Sequence, residues 1–206
     1  NYFNRRTREF KWYRPQEGRN SISHNNVKAL YYDADKEIIW IGTHLGGLNR
    51  LDIRSGHFTH YRMEDNNQQT LPSDIVRDII PYKDLLIVAT QNGVCLFEPD
   101  SGKCRQLFKD SKEGKSIKMV ADILLDSEGT LWIAATGEGV FNYRFDTRKL
   151  TNYRHDSANP NSLSNNNVNN IMQDSQGHLW FSTSGSGLDL YHPANNDFEN
   201  FDKEKN

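Results

Sequence analysis

No stretch of the sequence approaches the roughly 18 consecutive apolar residues of a membrane-spanning helix, so none is expected. An excess of either charge is missing as well. The 25 Lys and Arg nearly balance the 27 Asp and Glu, for a net charge of -2. No broad basic field is left to draw nucleic acid or an anionic membrane surface, and no nucleic-acid contact is expected. The opening residues 1–6 lack the apolar heart of a signal peptide and an initiating Met, which reads as a fragment or processed product.

Cysteine is scarce: the only two are Cys95 and Cys104. They fall on the arms of one hairpin with its turn at Pro99-Asp100-Ser101-Gly102. That register puts Cys104 opposite Phe97 and Cys95 diagonal to Cys104, at about 7 to 8 Å, which disfavours a disulfide. Cysteine usage therefore fixes no redox compartment.

What the sequence does have is a repeat. Gly177-His178-Leu179-Trp180-Phe181-Ser182-Thr183-Ser184-Gly185-Ser186-Gly187-Leu188 has counterparts around Ile39-Trp40-Ile41-Gly42, Leu86-Ile87-Val88-Ala89 and Leu131-Trp132-Ile133-Ala134. Each is an apolar run, a short Gly-bearing break and a second apolar run, the pattern of two antiparallel strands. The anchors at 40, 87, 132 and 180 recur every 45 to 48 residues, a blade-sized period (87 − 40 = 47, 132 − 87 = 45, 180 − 132 = 48).

Aligning the units adds an inner strand before each hairpin, at Val27 to Asp33, Ile75 to Ile80, Val120 to Asp126 and Val168 to Asp174. A turn follows, made by Asp33-Ala34-Asp35-Lys36, Pro81-Tyr82-Lys83-Asp84, Asp126-Ser127-Glu128-Gly129 and Asp174-Ser175-Gln176-Gly177. Each unit closes on an edge strand ending in Tyr61, Phe108, Tyr153 or Phe201. The polar crossovers end in Ser21-Ile22-Ser23, Thr70-Leu71-Pro72, Ser116-Ile117-Lys118 and Ser162-Leu163-Ser164, whose single apolar residue is expected to pin the loop. The reading is an all-β propeller of four-stranded antiparallel blades. The tail of a preceding blade covers 1–13, and whole blades cover 14–61, 62–108, 109–153 and 154–206. The set is expected to be a slice of a larger ring, open at its end blades to self-association.

Asn25-Asn26-Val27, Asp-Ser-x-Gly before Leu131-Trp132 and Leu179-Trp180, Trp-Ile-Gly-Thr at 40–43 and Gly-Gly-Leu or Gly-Ser-Gly-Leu entering the third strand closely resemble the two-component regulator propeller repeat, in four copies from about Ser21 to Phe201. Unit two departs most, with Ile87 for Trp, no Asp-Ser turn and one residue fewer before Gly93. The resemblance implies the periplasmic sensor region of a membrane-anchored hybrid histidine kinase, built of seven-bladed propellers and responding to oligosaccharides. It implies no catalytic machinery and no cofactor in these residues. The alternatives are a propeller enzyme of lyase or glycosidase type, and a structural propeller that dimerises.

Candidate chemistry is sparse. Asp126 and Asp174 stand one place too early for a sialidase-type Asp box and read as turn formers. The seven histidines are scattered, and the spacing of His57 and His60 sends them to opposite strand faces, so no metal site is expected. The Gly-rich breaks precede strands, not the helix that phosphate binding needs. Trp40, Trp132 and Trp180 repeat at one blade position and read as buried packing, whereas Trp12 is open to an exposed role. The breaks between second and third strands gather at one end of the axis. Their unit-specific residues His44, Gln91, Glu138 and Ser186 are the candidate ligand contacts.

Overall fold

The computed structural model describes residues 1–109, 114 and 117–202. It opens on a two-stranded hairpin, β1 (Tyr2–Asn4) and β2 (Glu9–Lys11). Four blades follow in chain order. The first holds β3 (Val27–Asp33), β4 (Ile38–Thr43), β5 (Leu48–Asp52) and β6 (Phe58–Tyr61), and the second β7 (Val76–Tyr82), β8 (Leu85–Thr90), β9 (Gly93–Phe97) and β10 (Cys104–Gln106). The third holds β11 (Val120–Leu125), β12 (Thr130–Ala135), β13 (Gly139–Arg144) and β14 (Lys149–Tyr153), and the fourth β15 (Val168–Gln173), β16 (Leu179–Thr183), β17 (Leu188–His192) and β18 (Asp197–Phe201). Every blade is an antiparallel meander, with each strand paired to its neighbour in sequence. The first strands β3, β7, β11 and β15 stand side by side, so they form the inner wall.

Each inner strand carries a bulge at the same place, where the register shifts between Val27 and Ala29, Val76 and Asp78, Val120 and Asp122, and Val168 and Asn170. A bulge strengthens the local twist, as a strand crowded at a common axis requires. The outer hairpins share one turn. A backbone N–H returns to the carbonyl four residues back, Gly56 to Asp52, Gly102 to Glu98 and Asn196 to His192, all at 2.8 Å, and Arg8 to Asn4 repeats it at 2.7 Å. The β1–β2 hairpin therefore closes on the same turn as the outer hairpins of the blades.

The core lies between blades. Trp40 meets Phe97 of the next blade edge-on at 5.3 Å, and Trp132 meets Tyr191 and Phe181 of the next blade at 5.0 and 5.5 Å. Both indoles are buried, at 1% and 2% exposure. Trp180 departs from the expectation. It is only half-buried and packs on Phe201 of its own blade, because no further blade covers it. The crossover pins Ile22, Leu71, Ile117 and Leu163 are all buried, while Ser116 lies outside the described residues.

Unit two corrects two boundaries. β7 runs through Pro81 and Tyr82, leaving Lys83-Asp84 as the turn, with Lys83 in the left-handed conformation. Its outer strand ends at Gln106, because Phe108 also turns left-handed and packs on Tyr143 of the next blade at 4.7 Å. Cys104 pairs with Phe97 and Cys95 with Gln106, as the register required. Both thiols are free and buried, and Cys95 is pushed up by its hydrogen bond with Cys104 and by burial.

Candidate functional site

The loops entering the inner strands and the loops between second and third strands lie on one face, joined by a running series of backbone hydrogen bonds. His44 N–H donates to Asn26 O at 2.8 Å, and His44 bridges to Ile75 of the next blade. Gln91 N–H donates to Ile75 O at 3.0 Å, Met119 to Gln91 O at 2.7 Å and Thr136 to Met119 O at 3.2 Å. Gly137 donates to Asn166 O at 3.1 Å and Ser184 to Asn167 O at 2.9 Å. Each loop satisfies its neighbour's backbone, which fixes the face as one arc across four blades.

The four predicted contacts sit on this arc, one per blade, but not at one position. His44 and Gln91 directly follow their second strands, where units three and four have Thr136 and Ser184. Glu138 and Ser186 come two places later, just before Gly139 and Gly187. Glu138 is engaged by Arg154 in an ion pair. Ser186 accepts a 3.4 Å hydrogen bond from the Asn165 amide, and His44 holds its Nδ1 buried without a partner in the structure.

Two further residues of this face were missed. Leu45 has φ +79°, beside +81° and +82° for Gly137 and Gly185 at the matching place, and its side chain is more than half exposed. Met119 is also left-handed, at +49°, and about half exposed. A bulky residue in this conformation costs about 1–2 kcal/mol, and such strain gathers at functional sites. The signal for Leu45 was present: it is a long side chain where units three and four have Gly137 and Gly185.

The crossover loops are tied down from below. Ser23 N–H donates to the buried Asn49 side chain at 2.8 Å, and Ser164 N–H to the buried Asp189 at 3.0 Å. Burial pushes the Asp189 carboxyl up, while its bonds from Ser164 and Asn200 pull the other way. Asp126 and Asp174 are turn formers as expected, and they also accept from the indoles of Trp132 and Trp180 at 2.8 and 3.1 Å. The Asp174 carboxyl is held low by that indole and by His178. Among the described residues, no group of three His, Cys, Asp or Glu is placed to hold a metal.

The inner wall carries one electrostatic oddity. Asp78 and Asp122 lie on adjacent inner strands; Asp78 accepts from Ile79 N–H at 2.8 Å, and Asp122 accepts from Ile171 N–H of the next blade at 2.7 Å. Burial first, and the Asp122 charge further down, push Asp78 up to about 6. A carboxyl raised above its unfolded value of about 3.9 holds its proton longer when folded, so its contribution is best at low pH and declines as pH rises from about 4 to about 6. Asp78→Asn is expected to add about 1–2 kcal/mol at pH 7 and to flatten stability between pH 4 and 6, read by urea unfolding. An unchanged pH slope would show that burial does not raise the Asp78 carboxyl.

These features define an open segment of a β-propeller with a polar loop face. Residues 21–44 and 162–185 match the two component regulator propeller family, so the chain carries that repeat. The two matched stretches are the units whose crossovers are pinned by Asn49 and Asp189. Among solved structures, the fold is similar to the extracellular domain of BT3049 of B. thetaiotaomicron, described as a hybrid two component system, with TM-score 0.78, 22% identity and 91% of this chain covered. The chain spans 25% of the length of that structure. It is also similar to PorZ, a surface component of the type-IX secretion system of Porphyromonas gingivalis (TM-score 0.66, 17% identity, 94% of this chain and 30% of that one). Virginiamycin B lyase from Staphylococcus aureus follows at TM-score 0.62 and 16% identity, covering 87% of this chain and 56% of that one. At these identities the likenesses establish the propeller fold. The curated proteins contain no match to this sequence.

Proposed function

We propose that this chain is part of the extracytoplasmic, ligand-sensing propeller of a membrane-anchored hybrid two-component regulator, and that its loop face recognises an oligosaccharide. The observation that carries the reading is the composition of that face. His44, Gln91, Asn165, Asn166, Ser184 and Ser186 offer neutral donors and acceptors, suited to hydroxyl groups, with Leu45 and Met119 supplying exposed apolar surface for the C–H side of a sugar ring. The repeat match and the likeness to a sensor domain support the regulator assignment. This segment works as a binding element, and the kinase chemistry belongs to other parts of such a protein.

Calorimetry of the chain against a panel of glycan fragments tests the reading. Heat from at least one glycan is expected, with affinity falling about tenfold in Gln91→Ala, a loss of about 1.4 kcal/mol. Leu45→Gly is expected to weaken binding while raising stability by up to about 1 kcal/mol, since strain is relieved. No heat from any glycan would turn the reading toward an interaction module, and a chemically altered glycan toward an enzyme.

A further inference from the structure

Each inner strand holds one extra residue at its bulge: Lys28, Arg77, Ala121 and Asn169. In the fourth blade the Asn169 side chain accepts a hydrogen bond from the Ser184 hydroxyl at 3.2 Å, so the bulge residue reaches the residue that follows the second strand. The corresponding neighbours are His44 for Lys28 and Gln91 for Arg77. The two pairs meet at the junction of the first and second blades, where the inner strands pack side by side and His44 forms a backbone bridge with Ile75, two residues before Arg77. Two cations, an imidazole and an amide thus gather at the loop-face end of one junction. The third and fourth blades have the neutral Ala121 and Asn169 at the bulge.

None of these four side chains has a hydrogen bond or an ion pair among the described residues, and His44 Nδ1 and Arg77 Nε are two of the three buried polar side-chain atoms there without a partner. Other cations of the loop face are already matched, Arg62 by Asp74 at 3.6 Å and Arg154 by Glu138. The adjoining Asp78 carboxyl is turned to the Ile79 N–H and to Asp122 and leaves Arg77 alone. A buried donor on a charged group is costly to leave unpaired, so an acceptor brought by a ligand gains what the protein does not supply. We infer that this corner is an anion site that takes a carboxylate or sulfate group, with Arg77 and Lys28 as its cations and His44 and Gln91 as accompanying donors. A guanidinium matches the paired oxygens of such a group, and an ammonium adds a point charge. Resting on the reading of the loop face as a glycan-binding surface, the ligand class is an acidic oligosaccharide, bearing uronate or sulfate ester. A neutral glycan is disfavoured because it brings no counter-charge to Arg77.

The test reads the whole chain in two arms. In the first, sodium sulfate is titrated at constant ionic strength, and a rise in melting temperature is expected that Arg77→Gln removes. In the second, the glycan panel is divided into uronate- or sulfate-bearing fragments and neutral ones. The acidic members are expected to bind at least about tenfold more tightly and to weaken as salt rises. Arg77→Gln should remove that advantage and Lys28→Gln most of it, while Arg62→Gln, whose side chain pairs with Asp74, should leave it unchanged. Arg77→Lys keeps the charge without the planar fork and should fall between the parent and Arg77→Gln. The inference is overturned if sulfate does not move the melting temperature and acidic glycans bind no better than neutral ones, in which case binding of a neutral glycan still upholds the oligosaccharide reading. It is also overturned by an acidic preference indifferent to both Arg77→Gln and Lys28→Gln, which would put the anion elsewhere. A sulfate effect lost in Arg77→Gln with no glycan bound upholds the anion site, makes a free anion its ligand and removes the oligosaccharide reading.

Discussion

Replacing Trp132 with alanine is expected to cost about 3–5 kcal/mol of stability, the range for truncating a core aromatic, while the same change at Trp180 costs about 1–2. The two indoles hold the same place in their blades and each donates its N–H to the same tether, an Asp six residues earlier. They differ in what lies beyond. Trp132 is enclosed by Tyr153 of its own blade at 5.9 Å and by Tyr191 and Phe181 of the next, so its loss opens a cavity in the junction of the third and fourth blades. Trp180 faces no following blade and already touches solvent. Urea unfolding of the two variants measures the difference directly. Equal losses would mean that the indole is stabilised within its own blade, by the Asp tether and strand pairing, and that blade-to-blade packing contributes little.

Gly139→Ala is expected to cost roughly 3 kcal/mol, an effect out of proportion to one methyl group. Gly139 opens the third strand with φ +81°, and a Cβ there would sit 2.2 Å from the carbonyl oxygen of Tyr153 on the outer strand. The left-handed backbone costs an alanine about 1–2 kcal/mol, and prising the two strands apart adds about 1–3. Gly129 separates the two contributions. Its φ is +80°, but nothing lies within 4 Å of the added methyl, so Gly129→Ala should lose only the conformational part, about 1–2 kcal/mol. Thermal unfolding of both variants reads the contrast. If the two lose the same, the close approach of β13 to the outer strand is not rigid.

The loop face illustrates how far a repeat carries and where it stops. Gly139 and Gly187 could be aligned from sequence because each marks a backbone position that no other residue fills without strain. His44 and Glu138 looked equivalent because both lie in the same break, yet the pairing register assigns them to different places in their loops. Leu45 was visible as a departure from the Gly pattern, but its meaning depended on a dihedral angle. Asn49 and Asp189 were not legible at all: in sequence they are polar residues in strands, and only folding brings the Ser23 and Ser164 amides, more than twenty residues earlier, onto them.

By itself the sequence determined the four-stranded blades, their strand order, the buried pins of the crossovers and the cysteine register. All of these follow from local pattern: alternation of apolar residues, turn chemistry and a fixed period. The tertiary structure alone decided which equivalent residues are covered. Trp132 and Trp180, or Leu30 and Ile79, are matched positions in their units, but burial is a property of the neighbouring blade, and a neighbour is a long-range contact that no local pattern encodes. The same holds for the raised Asp78 carboxyl, which lies beside Asp122 because two inner strands 44 residues apart in sequence (122 − 78 = 44) stand side by side at the axis.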